Sequence, residues 1–182
     1  ARANEAGITV VVHAGDSGYS SQGYVKDDLF SAGFQGGGWQ PSVRTFAIER
    51  AAYDFLITLS FSKLYERFPN LRIASVENGS EFLPDLFKKL RSTSHKMPGY
   101  FGDDPCDSFR EHVWINPFWE DDPYEVVDLM GADRVIFGSD WPHIEGMPQP
   151  LDYLVDLEGF DAKTKRLILR DNTRELNQPR PA

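Results

Sequence analysis

Cysteine occurs once in the 182 residues, at Cys106, so no internal disulfide can staple the fold. Its surroundings, DDPCDS, are acidic and disfavour a thiolate, and the residue reads as a buried or inert thiol in a reducing compartment. No apolar run approaches the roughly 20 residues that span a bilayer, and the N-terminus has no basic stretch followed by an apolar one. Basic residues are scarce: 19 Lys and Arg stand against 28 Asp and Glu, a net charge of −9. Such a surface repels phosphate backbones and anionic membranes, so neither nucleic acid nor membrane is an expected partner. What is present is ordinary globular material, 41% hydrophobic and 26% charged, enough for a folded core. These features predict a soluble, cytoplasmic, single-domain protein, and acidity by itself identifies no partner.

The opening ARANEAG has the chemistry of a helix ending, with Gly7 suited to the left-handed position after the last turn. Nothing before it starts a helix, so the chain is expected to begin inside something longer. Ile8 to His13 (ITVVVH) is a short β-branched run, the pattern of a strand buried on both faces in a parallel sheet. After a loop rich in Gly, Ser and aromatics (Tyr19, Tyr24, Phe30, Phe34), apolar residues return at helical spacing from Ser42 to Phe68, with a division expected near Ser60 or Ser62. Leu71 to Val76 predicts a second strand, and Leu83, Leu86, Phe87 and Leu90 the buried stripe of the next helix. A loop containing PGYFGDDPCD follows, then a third strand from His112 to Asn116. Asp122, Pro123 and Glu125 mark a capped helix start, Gly131 its end, and Arg134 to Gly138 a fourth strand. Asp161 caps a last helix running through Leu167 to Leu169. Four β-then-α units predict parallel strands covered by helices, with reactive groups at the strand ends.

Those ends carry His13, Glu77, Asn116 and Asp140. In a parallel sheet they share one edge, so an imidazole, two carboxylates and an amide converge on one pocket. Neutral imidazole and carboxylate suit one divalent cation, zinc or manganese. Each residue also has a plainer reading: His13 as a hydrogen-bonded structural histidine, Asp140 as a cap after SDWP, Glu77 in a helix-leading bend made by Asn78 and Gly79, Asn116 as a turn residue before Pro117. His143 lines the mouth of the pocket or only its surroundings, while His95 and His112 read as surface or packing residues.

VVVHAG at Val10 to Gly15, RIASVENGSEFLPDLFKKL at Arg72 to Leu90, DRVIFGSDWPH at Asp133 to His143 and the terminal LILRDNTRELN together resemble the amidohydrolase-related superfamily. More narrowly, they resemble its aminocarboxymuconate-semialdehyde decarboxylase-like branch of metal-dependent (β/α)8 TIM barrels. A complete barrel takes about 250 residues, and the likeness aligns with the second half only. The resemblance therefore implies an N-terminally truncated domain over residues 1–182, the C-terminal half of a TIM barrel with about four βα units; the unpaired edges of such a half predict self-association as a homo-oligomer. The resemblance also implies His13 and Asp140 as metal ligands and puts Glu77 at the acid/base position; Asp140, as proton shuttle, and Glu77 are the expected catalytic groups, and placement at or beside the strand ends makes Trp141, Asn116 and His143 the expected substrate-binding residues. Glu77 stands where the decarboxylases usually carry a histidine. The implied ligands of strand one have no counterpart before His13. The implied activity is non-oxidative decarboxylation or hydrolysis of a carboxylated or aromatic-ring small molecule; the alternative is an incomplete half-barrel that only binds or assembles.

Overall fold

The computed structural model describes residues 1–15, 47–143 and 146–180. The aromatic loop residues Tyr19, Tyr24, Phe30 and Phe34, and the expected helix start at Ser42, lie outside the described residues. A one-turn helix α1 (Arg2–Ala6) closes on Gly7, whose φ of 63° is the left-handed conformation its sequence anticipates. Strand β1 (Thr9–His13) follows. Helices α2 (Ala47–Phe61) and α3 (Leu64–Arg67) are parted at Lys63, which takes φ 55°, so the expected division falls just beyond Ser62.

Strand β2 (Arg72–Val76) leads into α4 (Leu83–Lys96), and the predicted stripe of Leu83, Leu86, Phe87 and Leu90 is fully buried. Burying each such side chain stabilises the fold by about 1.5–3 kcal/mol. The Gly- and Asp-rich stretch after α4 is not all loop. Asp104 accepts a hydrogen bond from the Cys106 N–H at 2.8 Å and starts α5 (Pro105–His112), a helix that sequence reasoning missed. His112 therefore closes a helix rather than opening the third strand; it is buried, stacked on Tyr65, with Nδ1 2.6 Å from the Leu71 carbonyl. Cys106 faces the core beneath α4, and burial, helped by Asp104, pushes its thiol up to about 11, in keeping with an inert residue.

Strand β3 (Val113–Ile115) is followed by α6 (Pro123–Met130), capped by Asp122 and ended at Gly131. Short helix α7 (Tyr153–Asp156) precedes α8 (Ala162–Arg166), which Asp161 caps through the Thr164 N–H. The chain continues helically through a π turn (Leu167–Asp171) into α9 (Asn172–Leu176). Among the described residues no helix is long and apolar enough to cross a membrane.

The described sheet has the order β1-β2-β3, all parallel, in register from Thr9 opposite Arg72 to His13 opposite Val76 and from Ile73 opposite Val113 to Ser75 opposite Ile115. The expected fourth strand is reduced to one parallel bridge between Ile115 and Val135. Gly131 leads into a 3-10 turn over Ala132–Arg134, and beyond the bridge the Phe137 N–H donates to the Ile168 carbonyl at 3.1 Å rather than to a strand. The expectation that β1 is buried on both faces is also corrected. Val11 is 59% exposed, and β1 is the edge of the described sheet, with β2 on one side only.

At the N-terminal end of the strands, Arg72 holds the chain's two ends together. Its guanidinium is 1% exposed and donates to the carbonyls of Gly7 (2.6 Å), Gln178 (2.6 Å) and Glu175 (3.1 Å). The Arg180 N–H also donates to the Gly7 carbonyl, and a Cβ on Gly7 would lie 1.8 Å from the Arg180 oxygen, so only glycine fits. Arg72→Met removes three charge-assisted bonds, two of them to carbonyls that keep a backbone donor, and is expected to lower unfolding stability by about 3 kcal/mol. Urea denaturation checks this; a loss below about 1 kcal/mol would show that the tie contributes little.

Candidate active site

The parallel register sets the C-terminal ends of β1, β2, β3 and the 135–138 run along one edge. From that edge the structure brings together His13, Glu77 and Asp140, three of the four strand-end residues expected there. His13 Nε2 lies 2.5 Å from Glu77 Oε2. The Glu77 and Asp140 carboxyls are within hydrogen-bonding reach of each other, and His143 Nδ1 lies 3.6 Å from Asp140 Oδ2.

The other nitrogen of His13, Nδ1, is 2.8 Å from the Ala14 carbonyl. A carbonyl can only accept, so Nδ1 carries hydrogen and Nε2 is the nitrogen turned to Glu77. One proton is then shared along the His13–Glu77 contact. Burial, first, and then the hydrogen bond and negative charge of Asp140 push the Glu77 carboxyl up, against the opposing pull of His13 and His143. The cluster is thus a pair of mutually repelling carboxyls and an imidazole, an arrangement suited to holding and passing a proton.

Both carboxylate residues sit on left-handed backbone, Glu77 at φ 59° and Asp140 at φ 54°. Non-glycine residues there cost on the order of 1 kcal/mol each and persist where surrounding structure imposes them. The turn after Asp140 is one such constraint. The His143 N–H donates to the Asp140 carbonyl, the Met147 N–H donates to the Ser139 carbonyl, and a Cβ on Gly146 would lie 2.5 Å from the Asp140 oxygen. Trp141 stands on the rim with 63% of its surface open, and His143 is also exposed.

Asn116 is placed at the same edge but faces inward, 6% exposed. Its Oδ1 accepts from the Glu77 N–H (3.2 Å), and its Nδ2 donates to the carbonyls of Pro117 (3.0 Å) and Ile136 (3.4 Å). These backbone partners differ from those expected of a substrate-binding amide. Asn78, which sequence reasoning took only for a bend residue, is 3% exposed, and its Nδ2 reaches the carbonyls of Val12 and Val76, each at 2.9 Å. Glu49, in the first turn of α2, was also missed. Its Oε1 would be 2.9 Å from a Cβ on Gly79, and burial together with Glu81 and Asp121 pushes its carboxyl from 4.5 up to about 7. Glu81 and Asp121 come from distant parts of the chain, so no local signal marks it.

Imidazole and carboxylate are the donor types a divalent cation takes. Among the described residues, however, no three His, Cys, Asp or Glu side chains surround one point as ligands; His13, Glu77 and Asp140 form a chain of pairwise contacts. A catalytic zinc normally has three protein ligands and an open position, so the donors fit in kind and fall short in number.

A parallel α/β sheet with an acid–imidazole cluster at its strand ends is the arrangement of a strand-edge active site. Residues 1–176 match the Amidohydrolase family, and the chain belongs to it. The resemblance carried by VVVHAG, RIASVENGSEF and DRVIFGSDWPH is thereby borne out. The chain is 37% identical to an amidohydrolase from Mycobacterium avium subsp. paratuberculosis, with a TM-score of 0.81 over 97% of this chain and 44% of that one. It is 24% identical over 131 residues to the 2-amino-3-carboxymuconate-6-semialdehyde decarboxylase of Dictyostelium discoideum, covering 66% of this chain and 35% of that protein. The fold is shared with a dihydroxybenzoic acid decarboxylase from Polaromonas, crystallised with manganese and 2-nitroresorcinol, at 20% identity and a TM-score of 0.58 over 84% of this chain and 46% of that one. The chain thus spans less than half the length of each of these relatives.

Two outcomes follow from this geometry. Glu77→Gly places the residue that tolerates φ 59° where Glu is held under strain, and is expected to leave stability unchanged or raise it by up to about 1 kcal/mol. A loss above about 1 kcal/mol in urea denaturation would show that the Glu77 side chain stabilises the fold more than its backbone costs. Glu49 titrates near 4.5 when unfolded and about 7 when folded, so the folded chain binds more protons between these values. Its contribution is fully present below 4.5 and is lost as pH rises through 7; Glu49→Gln is expected to lose less stability than the parent between these two values. Denaturation midpoints across that range that fall equally for both proteins would contradict the assignment.

Proposed function

We propose that the chain is the C-terminal half of a (β/α)8 barrel enzyme of this family, about four βα units forming a single domain of residues 1–182. Its reaction is the non-oxidative decarboxylation of a carboxylated aromatic or related ring compound. The observation that carries the reading is the convergence of His13, Glu77 and Asp140 on one strand edge. The decarboxylases among the similar proteins support the choice of chemistry, and the chain's coverage of less than half of each relative supports the half-barrel.

In such a reaction the ring carbon bearing the carboxylate takes up a proton, the bond from that carbon to the carboxylate breaks, and carbon dioxide leaves while the electron pair stays on the ring. The Glu77–Asp140 pair holds the proton to be delivered, with Asp140 as the shuttle and Glu77 assisting. His13 Nε2, the nitrogen turned to Glu77 in the described structure, is also the nitrogen a cation would take, so a bound cation and Glu77 compete for it. Trp141 and His143 stand beside Asp140 where a ring would stack and a carboxylate would pair. A divalent cation, manganese or zinc, would be held by His13 and Asp140 together with donors from outside the described residues, and would supply charge to bind and orient the substrate's oxygens. Hydrolysis is the second reading, since the same carboxyl pair can take a proton from water. The lone buried thiol of Cys106 suits a reducing, cytoplasmic setting.

The test is an assay of the full-length protein, metal-loaded, on carboxylated phenols and on lactones and amides. Carbon dioxide released without incorporation of solvent oxygen is the expected result, and Asp140→Asn is expected to lower kcat by about 100-fold or more. Turnover of lactones or amides alone assigns hydrolysis. No turnover of either class by a protein that binds these ligands would favour the binding or assembly reading.

A further inference from the structure

We propose that Asn78 and Asn116 are positioning residues for the Glu77 carboxyl: two buried amides that lock the strand ends so that Glu77, in its left-handed turn, points at His13. This rests on the reading of His13, Glu77 and Asp140 as the reactive group.

The hydrogen bonds bracket Glu77 on both sides. Asn116 Oδ1 accepts from the Glu77 N–H, and Asn78 Nδ2 donates to the carbonyl of Val76, the residue before it. The same Asn78 nitrogen reaches the carbonyl of Val12, the residue before His13, so one amide fixes the backbone beside each member of the His13–Glu77 pair. Asn116 extends the lock sideways through the carbonyls of Pro117 and Ile136 and so ties β3 and the run that leads to Asp140. Gly138 packs against it, since a Cβ there would lie 3.2 Å from Asn116 Oδ1. Beneath Asn78 the buried Ser75 Oγ lies 3.2 Å from Nδ2.

Asparagine is the residue type this task requires. At Asn116 the side chain must accept from an N–H and donate to carbonyls at once, which a carboxylate cannot do. At both positions a glutamine would add a methylene to a slot that is already closed, where overpacking forces shifts. A buried amide need not act on a site, and Asn172 shows the contrast. It is 2% exposed and its Nδ2 donates to the carbonyls of Ala132 (2.8 Å) and Val135 (2.7 Å), at the opposite end of the 135–138 run. It is the same chemistry remote from Glu77, and therefore the control.

The experiment is histidine-labelled NMR of the chain at one fixed pH, with the His13 ring resonances assigned by His13→Gln. Glu77→Gln defines the shift expected when the His13–Glu77 proton contact is lost. Asn78→Ala and Asn116→Ala are each expected to move the His13 Nε2 resonance about halfway or further towards that position, as a misaligned charge-assisted contact would. The His112 signal should stay in place, and Asn172→Ala should lower stability while leaving His13 unmoved. His13 resonances unchanged in both variants, or displaced equally by Asn172→Ala, overturn the proposal. Asn78→Ser and Asn116→Ser, smaller perturbations, are read by the same criterion if the alanine variants do not fold. In the full-length protein, loss of positioning is expected as an approximately 10- to 100-fold fall in kcat with KM little changed. A His13 signal that responds as stated in a protein with no turnover keeps the positioning role and removes the functional reading.

Discussion

Parallel strand register is the constraint from which the rest of the structure follows. With His13 opposite Val76 and Ser75 opposite Ile115, every strand delivers its last residue to the same edge. Residues separated by more than a hundred positions in the chain then meet as one cluster. A slip of one residue would turn His13 to the other face of β1 and dissolve the site. The register is held at both ends by backbone carbonyls. Arg72 gathers those of Gly7, Glu175 and Gln178 below the sheet, and Asn78 and Asn116 gather those of Val12, Val76, Pro117 and Ile136 above it.

The site is where the molecule departs from restful geometry. Glu77 and Asp140 take left-handed backbone, their carboxyls repel one another, and Glu77 is pushed up by burial and by its neighbour. Each of these costs stability, and together they describe a cluster held ready by its surroundings rather than by its own preferences. The donors are those of a divalent cation site in kind, while their number among the described residues stops short of a closed set. The chain spans less than half the length of each of these relatives.

Much of this was legible because it is local. VVVH and IASV announce buried strands by composition, Leu83 to Leu90 announces a helix by period, and Asp122–Pro123 announces a helix start by cap chemistry. The same Asp–Pro signal at Asp104–Pro105 was hidden in a Gly- and Asp-rich stretch, so α5 was missed. Side-chain pattern also cannot report how many strands flank a strand. Val11 looks as buried in sequence as Ala74, yet one lies at an edge and the other inside the sheet. RVIFG likewise has strand composition, but pairing is a property of two chains of backbone, and only Val135 finds a bridge. Asn78 reads as a bend residue because Gly follows it, and Asn116 as a strand-end substrate-binding or turn residue; the partners they take depend on carbonyls contributed by other strands, which no spacing rule encodes.

The central claim is that His13 and Asp140, brought together by strand register, address the same ligand. The most direct measurement is an anomalous-difference map of the full-length protein crystallised with manganese. The account predicts one peak at bonding distance from both His13 Nε2 and an Asp140 carboxylate oxygen. A well-occupied manganese bound elsewhere, with His13 and Asp140 touching neither it nor each other's neighbours in the cluster, would contradict it.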